Sequence, residues 1–188
     1  MAGARHGGIV KRGIHLILAL LSMLPASRPA SAQMDEYSIK AGYLYNFSKY
    51  VEWPEGTFQA AETPFVICIV GEDPFGGRLD QAIAGKTSGD ARPLEVRRFK
   101  KADASGLRAC QMAFLSKSEM QHTAAIVDAL KNSPVFTVAD FAPFAEIGGI
   151  ADLRIEGTKV KVDLNMNAAN RAKLKISGKL QQVASLVN

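Results

Sequence analysis

The sequence predicts an α/β fold: a single layered domain with a mixed β-sheet flanked by helices on both faces. Short apolar, β-branched runs alternate with helical patterns along the chain, and a pair of strand-like segments follows near its end. The 188 residues, 47% of them hydrophobic, fit one globular domain. The arrangement is Rossmann-like, although no nucleotide-binding fingerprint accompanies it.

The first half of the chain predicts a helix, a buried strand and a second helix. Apolar side chains recur at helical spacing between residues 36 and 53, and Pro54 ends this pattern. The run Pro64–Val70 is continuously apolar, which is typical of a strand covered on both faces. A turn at residues 71–76 then leads into a short helix around Leu79–Ile83.

The second half predicts further strands, a hairpin and two helices. The hairpin reverses at residues 156–158. Ser118 begins a pattern that resembles a capping box, ahead of a helix carrying Ile126 and Leu130 on one face. Residues 180–187 have apolar positions at helical spacing and predict a final helix. We expect strands at Leu94–Phe99, Gln111–Leu115, Val135–Val138, Gly148–Ile155 and Val160–Leu164, and around Leu174 and Ile176.

The first 32 residues are typical of a secretory signal. Basic residues precede an apolar stretch, Gly13–Leu24, which is shorter than the roughly 20 residues of a membrane span. Residues 30–32 then match an A-x-A site, so we expect cleavage between Ala32 and Gln33. An uncleaved anchor is the alternative. The mature domain, residues 33–188, is expected to be soluble and outside the cytoplasm.

The charge balance changes once this signal is removed. The whole chain has 23 basic and 18 acidic residues, and the signal contains four of the basic residues and none of the acidic ones. The mature chain therefore has 19 basic against 18 acidic side chains, which does not favour nucleic acid as a partner. The remaining excess is Arg154, Lys159, Lys161, Arg171, Lys173, Lys175 and Lys179, against Glu156 and Asp163. This segment is either a solvated surface or a patch for an acidic partner or an anionic membrane surface.

The sequence predicts no catalytic residue, cofactor or metal. The turn at residues 71–77 matches neither G-x-G-x-x-G nor a P-loop, and Glu72 and Asp73 would repel a phosphate there. Without the signal, His122 is the remaining histidine, too few for a closely spaced Cys/His set, and it is expected to pack or to lie on the surface. No serine has the surroundings of a nucleophile elbow. A secreted hydrolase using His122 or paired carboxylates is the less favoured alternative.

Cys68 and Cys110 are the two cysteines of the chain. An even pair in a small exported domain favours one disulfide, and two buried thiols are the alternative. Cys68 lies mid-strand, facing the same way as Val66 and Val70, and Cys110 heads a strand that could lie near it.

Several segments together resemble the YfiR family of periplasmic regulatory proteins. They occur in the same order as in the family and cover nearly the whole mature chain. The segments are Ile39–Phe47 running into Val51–Pro54, Ile67–Gly71 followed by Asp73–Gly76, Cys110 leading into Phe114 and Leu115, and Val162–Asn165 with Leu174, Ile176, Ser177 and Leu180.

The resemblance implies a non-enzymatic regulator in the periplasm. Such a protein binds the periplasmic sensor part of an inner-membrane diguanylate cyclase or of a sensor kinase. Binding to the cyclase lowers cyclic di-GMP and biofilm formation. It also implies a homodimer and a disulfide, and Cys68 and Cys110 fall where the family has cysteines. Some members carry a second cysteine pair, which this chain lacks. Regulation through a second disulfide is therefore not available here.

The polar side of the first predicted helix is the candidate partner surface. It contains Tyr45 and Lys49, with Trp53 following, and tyrosine and tryptophan are favoured interface anchors. The alternative is that these aromatic side chains pack within the domain. The alternative functions are a periplasmic small-molecule-binding protein and an accessory protein of another membrane sensor or receptor.

Overall fold

The computed structural model describes residue 3, residues 31–157 and residues 159–187. The predicted signal lies almost wholly outside the described residues, so the signal and its cleavage between Ala32 and Gln33 stay predictions. The helices are α1 (Ser31–Tyr50), α2 (Gly77–Ile83), α3 (Ala104–Leu107), α4 (Thr123–Leu130), α5 (Met166–Arg171) and α6 (Gly178–Gln182). The strands are β1 (Val51–Glu52), β2 (Phe65–Val70), β3 (Leu94–Phe99), β4 (Met112–Leu115), β5 (Phe136–Ala139), β6 (Ala151–Glu156), β7 (Lys159–Asn165), β8 (Lys175–Ile176) and β9 (Ser185–Val187).

Seven of the described strands form one mixed sheet in the order β3-β2-β4-β5-β6-β7-β9. The strands from β3 to β6 run parallel, β7 returns antiparallel to β6, and β9 pairs parallel with β7. The predicted hairpin is present as β6 and β7. The two short strands β1 and β8 pair antiparallel in a separate sheet. The predicted α/β fold with a mixed sheet is confirmed.

Helices cover both faces of the large sheet, as the sequence predicts. Buried side chains of α1, α2, α5 and α6 form the first core with one face. Buried side chains of α3 and α4 form the second core with the other. Strand β2 is apolar at every position because Phe65, Ile67 and Ile69 enter the first core while Val66, Cys68 and Val70 enter the second.

Helix α1 is shorter at its C-terminal end than the periodicity predicts. It ends at Tyr50, and Val51 and Glu52 pair antiparallel with Ile176 and Lys175. Pro54 therefore follows a strand rather than ending the helix. The helical spacing of apolar residues continues through residue 53. Val51 and Glu52 are nevertheless extended because they pair with β8, which lies more than 120 residues away in sequence.

Two predictions about helix ends are wrong. Ser118 does not cap a helix: it lies inside a 3₁₀ helix, Lys117–His122, and its Oγ accepts a hydrogen bond from the backbone N–H of Glu72 at 2.9 Å. The final helix does not reach residue 187, because α6 ends at Gln182 and the chain continues as β9 along the edge of β7. Val183, which helical spacing assigned to the apolar side, is 71% exposed.

Candidate functional site

Cys68 and Cys110 form a disulfide within the second core. Cys68 lies in the middle of β2, and Cys110 lies two residues before β4, the parallel neighbour of β2. This neighbouring position brings the two Cα atoms to 6.0 Å, a distance typical of disulfides. Both side chains are almost fully buried. The bond therefore ties β2, an interior strand of the sheet, to the segment that leads into its neighbour β4.

The predicted partner residues Tyr45 and Lys49 lie on α1 beside the segment that connects α2 to β3, and the Tyr45 ring also packs against the first core. Lys86 from that segment places its ammonium 4.6 Å from the centre of the Tyr45 ring. Lys49 donates a hydrogen bond to the carbonyl oxygen of Ser88 at 3.2 Å. Tyr45 is half-buried and Lys49 is exposed. Together Tyr45, Lys49 and Lys86 form a surface with one aromatic ring and two cations, which we call the α1 patch.

The Trp53 ring is half-buried and packs against the first core. It stacks edge-on against Phe65 with ring centres 4.7 Å apart. Its indole N–H points between the carbonyl oxygens of Gln111 and Pro134, at 3.2 and 3.0 Å. Trp53 thereby joins the segment after β1 to the residues just before β4 and β5. A role in binding a partner stays a prediction for Tyr45, Lys49 and Trp53.

A buried charged cluster, which the sequence analysis missed, holds the N-terminal half of α1 to the end of β5. Lys40 is 1% exposed and its Nζ lies 3.0 Å from Oδ2 of Asp140, which is equally buried. Lys40 also pairs with Glu36, and Tyr37 donates a hydrogen bond to the same Oδ2 at 2.8 Å. Burial, reinforced by this bond to Asp140, raises the pKa of Tyr37. A helical wheel places Lys40 beside Phe47, so its position on the apolar side was the available signal.

A cavity of about 600 Å³ opens at the carboxyl ends of β2, β3 and β4. We call it the switch-point crevice, because the connections of the parallel strands reverse direction between β2 and β4. Its lining residues are Glu72, Lys100, Lys101, Ala102, Ala104, Leu107, Ser118, Glu119, His122, Ala125, Ile126 and Ala129. Local sequence patterns do not reveal it, because these residues come from three separate segments.

The turn after β2 is stabilised by its own contacts. Asp73 accepts a hydrogen bond from the backbone N–H of Phe75 at 2.7 Å and forms an ion pair with Arg98, also at 2.7 Å. His122 is 69% exposed at the crevice, with Nδ1 3.5 Å from a Glu119 carboxylate oxygen. Within the described residues, no group of three His, Cys, Asp or Glu side chains could hold a metal ion.

The C-terminal basic segment divides into two parts. Arg154 pairs with Asp163 across the β6–β7 hairpin, and Lys161 pairs with Glu156 at 2.5 Å. Lys159 and Lys161 are exposed on the same hairpin. Four further cations, Arg171, Lys173, Lys175 and Lys179, are also exposed. The hairpin part is thus a solvated, charge-paired sheet surface, while the later part keeps its positive charge.

Asp152 is a buried carboxylate on β6, 2% exposed, that accepts a hydrogen bond from the backbone N–H of Ala145 at 3.1 Å. Burial is the main cause that raises its pKa to about 6; the charges of Asp163 and Glu146 act in the same direction, and the bond from Ala145 and the charge of Arg154 oppose them. The folded state therefore favours protonated Asp152. Stability from this group is complete below the unfolded pKa of 3.8 and declines as pH rises to about 6.

We expect Asp152→Asn to stabilise the protein at neutral pH relative to the wild type. The pKa rise from 3.8 to about 6 corresponds to about 3 kcal/mol that the charged carboxylate costs the fold. The difference in unfolding free energy between variant and wild type should grow by about that amount from pH 4 to pH 7. Urea denaturation across this range measures it, with the exposed Asp128→Asn as control. A constant difference at all pH values would contradict the prediction.

The described residues define a doubly wound α/β domain that carries a buried disulfide and lacks a phosphate-binding loop. The chain belongs to the YfiR/HmsC-like family, whose model matches residues 37–185. The resemblance seen in the sequence is therefore confirmed. Proteins of this family are periplasmic and regulatory rather than catalytic.

No curated protein matches the chain. One similar solved structure is that of the ABC domain in complex with L-Trp from Streptococcus pneumonia, with a TM-score of 0.47 and 9% identity. The match covers 66% of this chain and 55% of that one. No helix within residues 31–157 and 159–187 has the length and apolar character needed to cross a membrane.

Proposed function

We propose that this protein is a periplasmic regulator that binds the sensor region of an inner-membrane diguanylate cyclase and holds the cyclase inactive. The observation that carries the proposal is membership of the YfiR/HmsC-like family across residues 37–185. The expected consequence is lower cyclic di-GMP when the protein is bound. A homodimer is part of the same proposal and stays a prediction.

The disulfide supports the periplasmic part of the proposal. Disulfides persist in oxidising compartments and are rare in the cytosol. The bond between Cys68 and Cys110 is buried in the core, where it restrains the fold rather than presenting a reactive thiol. The secretory signal predicted at residues 1–32 would deliver the chain to such a compartment.

The α1 patch is the proposed contact surface for the cyclase. Tyr45 presents a half-buried ring whose position is supported by Lys86, and Lys49 places a cation beside it. An aromatic anchor in a defined position loses little conformational entropy on binding. Trp53 would contribute through the exposed part of its ring, because its N–H is already bound to two carbonyl oxygens.

We expect Tyr45→Ala and Lys49→Glu each to weaken binding to the cyclase sensor region by about tenfold or more, as truncation of an interface anchor does. Tyr50→Ala is the matched control: Tyr50 is a partly exposed tyrosine on the same helix, about 140° away around its axis. Biolayer interferometry with the purified sensor region gives the affinities. Cyclic di-GMP should rise in a deletion strain and fall again on complementation with the wild type.

Two outcomes count against this assignment. Unchanged affinity in the folded Tyr45→Ala, Lys49→Glu and Trp53→Ala variants would reject the α1 patch as the binding surface. Unchanged cyclic di-GMP in the deletion strain would reject the cyclase as the partner. The proposed partner would then be a sensor kinase or another membrane receptor.

A further inference from the structure

The switch-point crevice lies where doubly wound α/β domains bind ligands. In such sheets the connections leave neighbouring strands in opposite directions at one point, and this opens a gap beyond the carboxyl ends of the strands. Here that point falls between β2 and β4, and the crevice is lined by the segments that follow β2, β3 and β4. Its volume of about 600 Å³ lies within the range of small-molecule sites.

The floor of the crevice is held in place by a close approach of two loops. Gly71 has a φ of +89°, and a Cβ there would lie 2.2 Å from Oγ of Ser118 and 2.5 Å from Oγ of Ser116. The two hydroxyl groups are 2.8 Å apart, and the backbone N–H of Glu119 donates to the Ser116 carbonyl oxygen at 2.9 Å. Glycine at position 71 thus allows the turn carrying Glu119 to pack against the end of β2.

Glu119 is the buried charged side chain of this crevice, whereas Glu72, Lys100, Lys101 and His122 are exposed. Its side chain is 9% exposed, and none of the described residues donates a hydrogen bond to its carboxylate. The nearest cation is His122, whose Nδ1 lies 3.5 Å away and whose side chain is 69% exposed. The side chain lines the crevice, and its carboxylate oxygens are not among the fully buried atoms that lack a hydrogen bond. A carboxylate whose partner is an exposed histidine 3.5 Å away keeps acceptor capacity for a donor group placed in the crevice.

The rest of the lining is apolar or balanced in charge. Leu107 and Ile126 form a hydrophobic wall, and alanines occupy four further lining positions, which leaves the space open. At the surface Lys100 and Lys101 are exposed, and so is Glu72. The lining thus has two lysines and two glutamates, with the buried charge supplied by Glu119.

We propose that the switch-point crevice binds a small amphipathic amine. The ammonium group would donate to the Glu119 carboxylate, and the hydrocarbon or aromatic body would lie against Leu107 and Ile126. A charge-assisted hydrogen bond to a buried carboxylate contributes specificity, and the apolar wall contributes burial. This site is separate from the α1 patch, so ligand binding is measurable on the isolated protein whether or not the cyclase is its partner.

The test uses isothermal titration calorimetry of the folded, oxidised protein with three matched probes: phenethylamine, 3-phenylpropionate and 2-phenylethanol. We expect saturable binding of the amine and at least tenfold weaker binding of the carboxylate and the alcohol. Glu119→Gln should weaken amine binding by about tenfold or more, as loss of a charged hydrogen bond does. Glu146→Gln, an exposed glutamate outside the crevice, should leave amine binding unchanged.

A second variant separates loss of the site from loss of the fold. Ala125→Phe places an aromatic ring into the crevice from an exposed position of α4 and leaves Glu119 intact, so it should abolish amine binding without lowering the unfolding temperature by more than a few degrees. The proposal is overturned if the amine does not bind, if 3-phenylpropionate binds as tightly, or if Glu119→Gln binds the amine as the wild type does.

Discussion

Replacing the disulfide by the Cys68→Ala/Cys110→Ala pair should lower the free energy of unfolding by about 4 kcal/mol. The two cysteines are 42 residues apart, and closing a loop of that length restricts the unfolded chain by about this amount in the chain-entropy model. Both side chains lie in the second core between β2 and the start of β4. Loss of the two sulfur atoms also leaves space there, so the measured value should not fall below about 2 kcal/mol.

Equilibrium urea denaturation measures this effect, and the wild-type protein under reducing conditions is the matched control. Reduction removes the cross-link but keeps both sulfur atoms in the core, so the difference between the reduced wild type and the alanine pair reports packing alone. Equal unfolding free energies for the oxidised and reduced wild type would show that the bond does not restrain the unfolded chain.

The interior strands of the sheet could be predicted from local sequence because helices cover both of their faces. A strand covered on both faces must be apolar at every position, and β2 shows this pattern from Phe65 to Val70. The β6–β7 hairpin was equally predictable, since its turn at residues 156–158 separates two strand-like segments. In both cases local composition and three-dimensional environment lead to the same element.

The predictions failed where a distant partner decides the backbone conformation. Val51 and Glu52 continue the helical spacing of α1 but pair with β8, and Ser185–Val187 continue that of α6 but pair with β7. In each case the open edge of a strand provides hydrogen bonds that a short terminal helix does not. Periodicity records the apolar positions and carries no information about which strand edge is free.

The candidate sites were harder to predict than the fold for the same reason. Tyr45 and Lys49 could be chosen because both lie on one helix, but Lys86 joins them from a separate segment. Glu119 became a candidate only because its turn packs against Gly71 at the end of β2. That contact depends on β4 lying next to β2 in the sheet. The pairing of Lys40 with Asp140 spans 100 residues, so the apolar position of Lys40 could suggest burial but not its partner.

Lys40→Met is expected to destabilise the fold by about 3–5 kcal/mol, because it leaves the buried carboxylate of Asp140 without its cation. The remaining donor to this carboxylate among the described residues is Tyr37, through Oδ2, while Oδ1 is already buried without a hydrogen bond. Methionine preserves most of the volume of the lysine stem. The loss of stability therefore measures the effect of the missing charge rather than of lost packing. Equilibrium urea denaturation at pH 7 gives the value.

Two companion variants decide whether the effect comes from the unpaired charge. Lys49→Met, at an exposed position of the same helix, should change the unfolding free energy by no more than about 1 kcal/mol, because what it removes is a hydrogen bond to the Ser88 carbonyl oxygen. Lys40→Met combined with Asp140→Leu should recover most of the lost stability, because replacing a buried ion pair by apolar side chains is often neutral. If the double variant is as unstable as the sum of both single variants, Lys40 stabilises α1 through its stem and its pair with Glu36, and the interaction with Asp140 is not the cause.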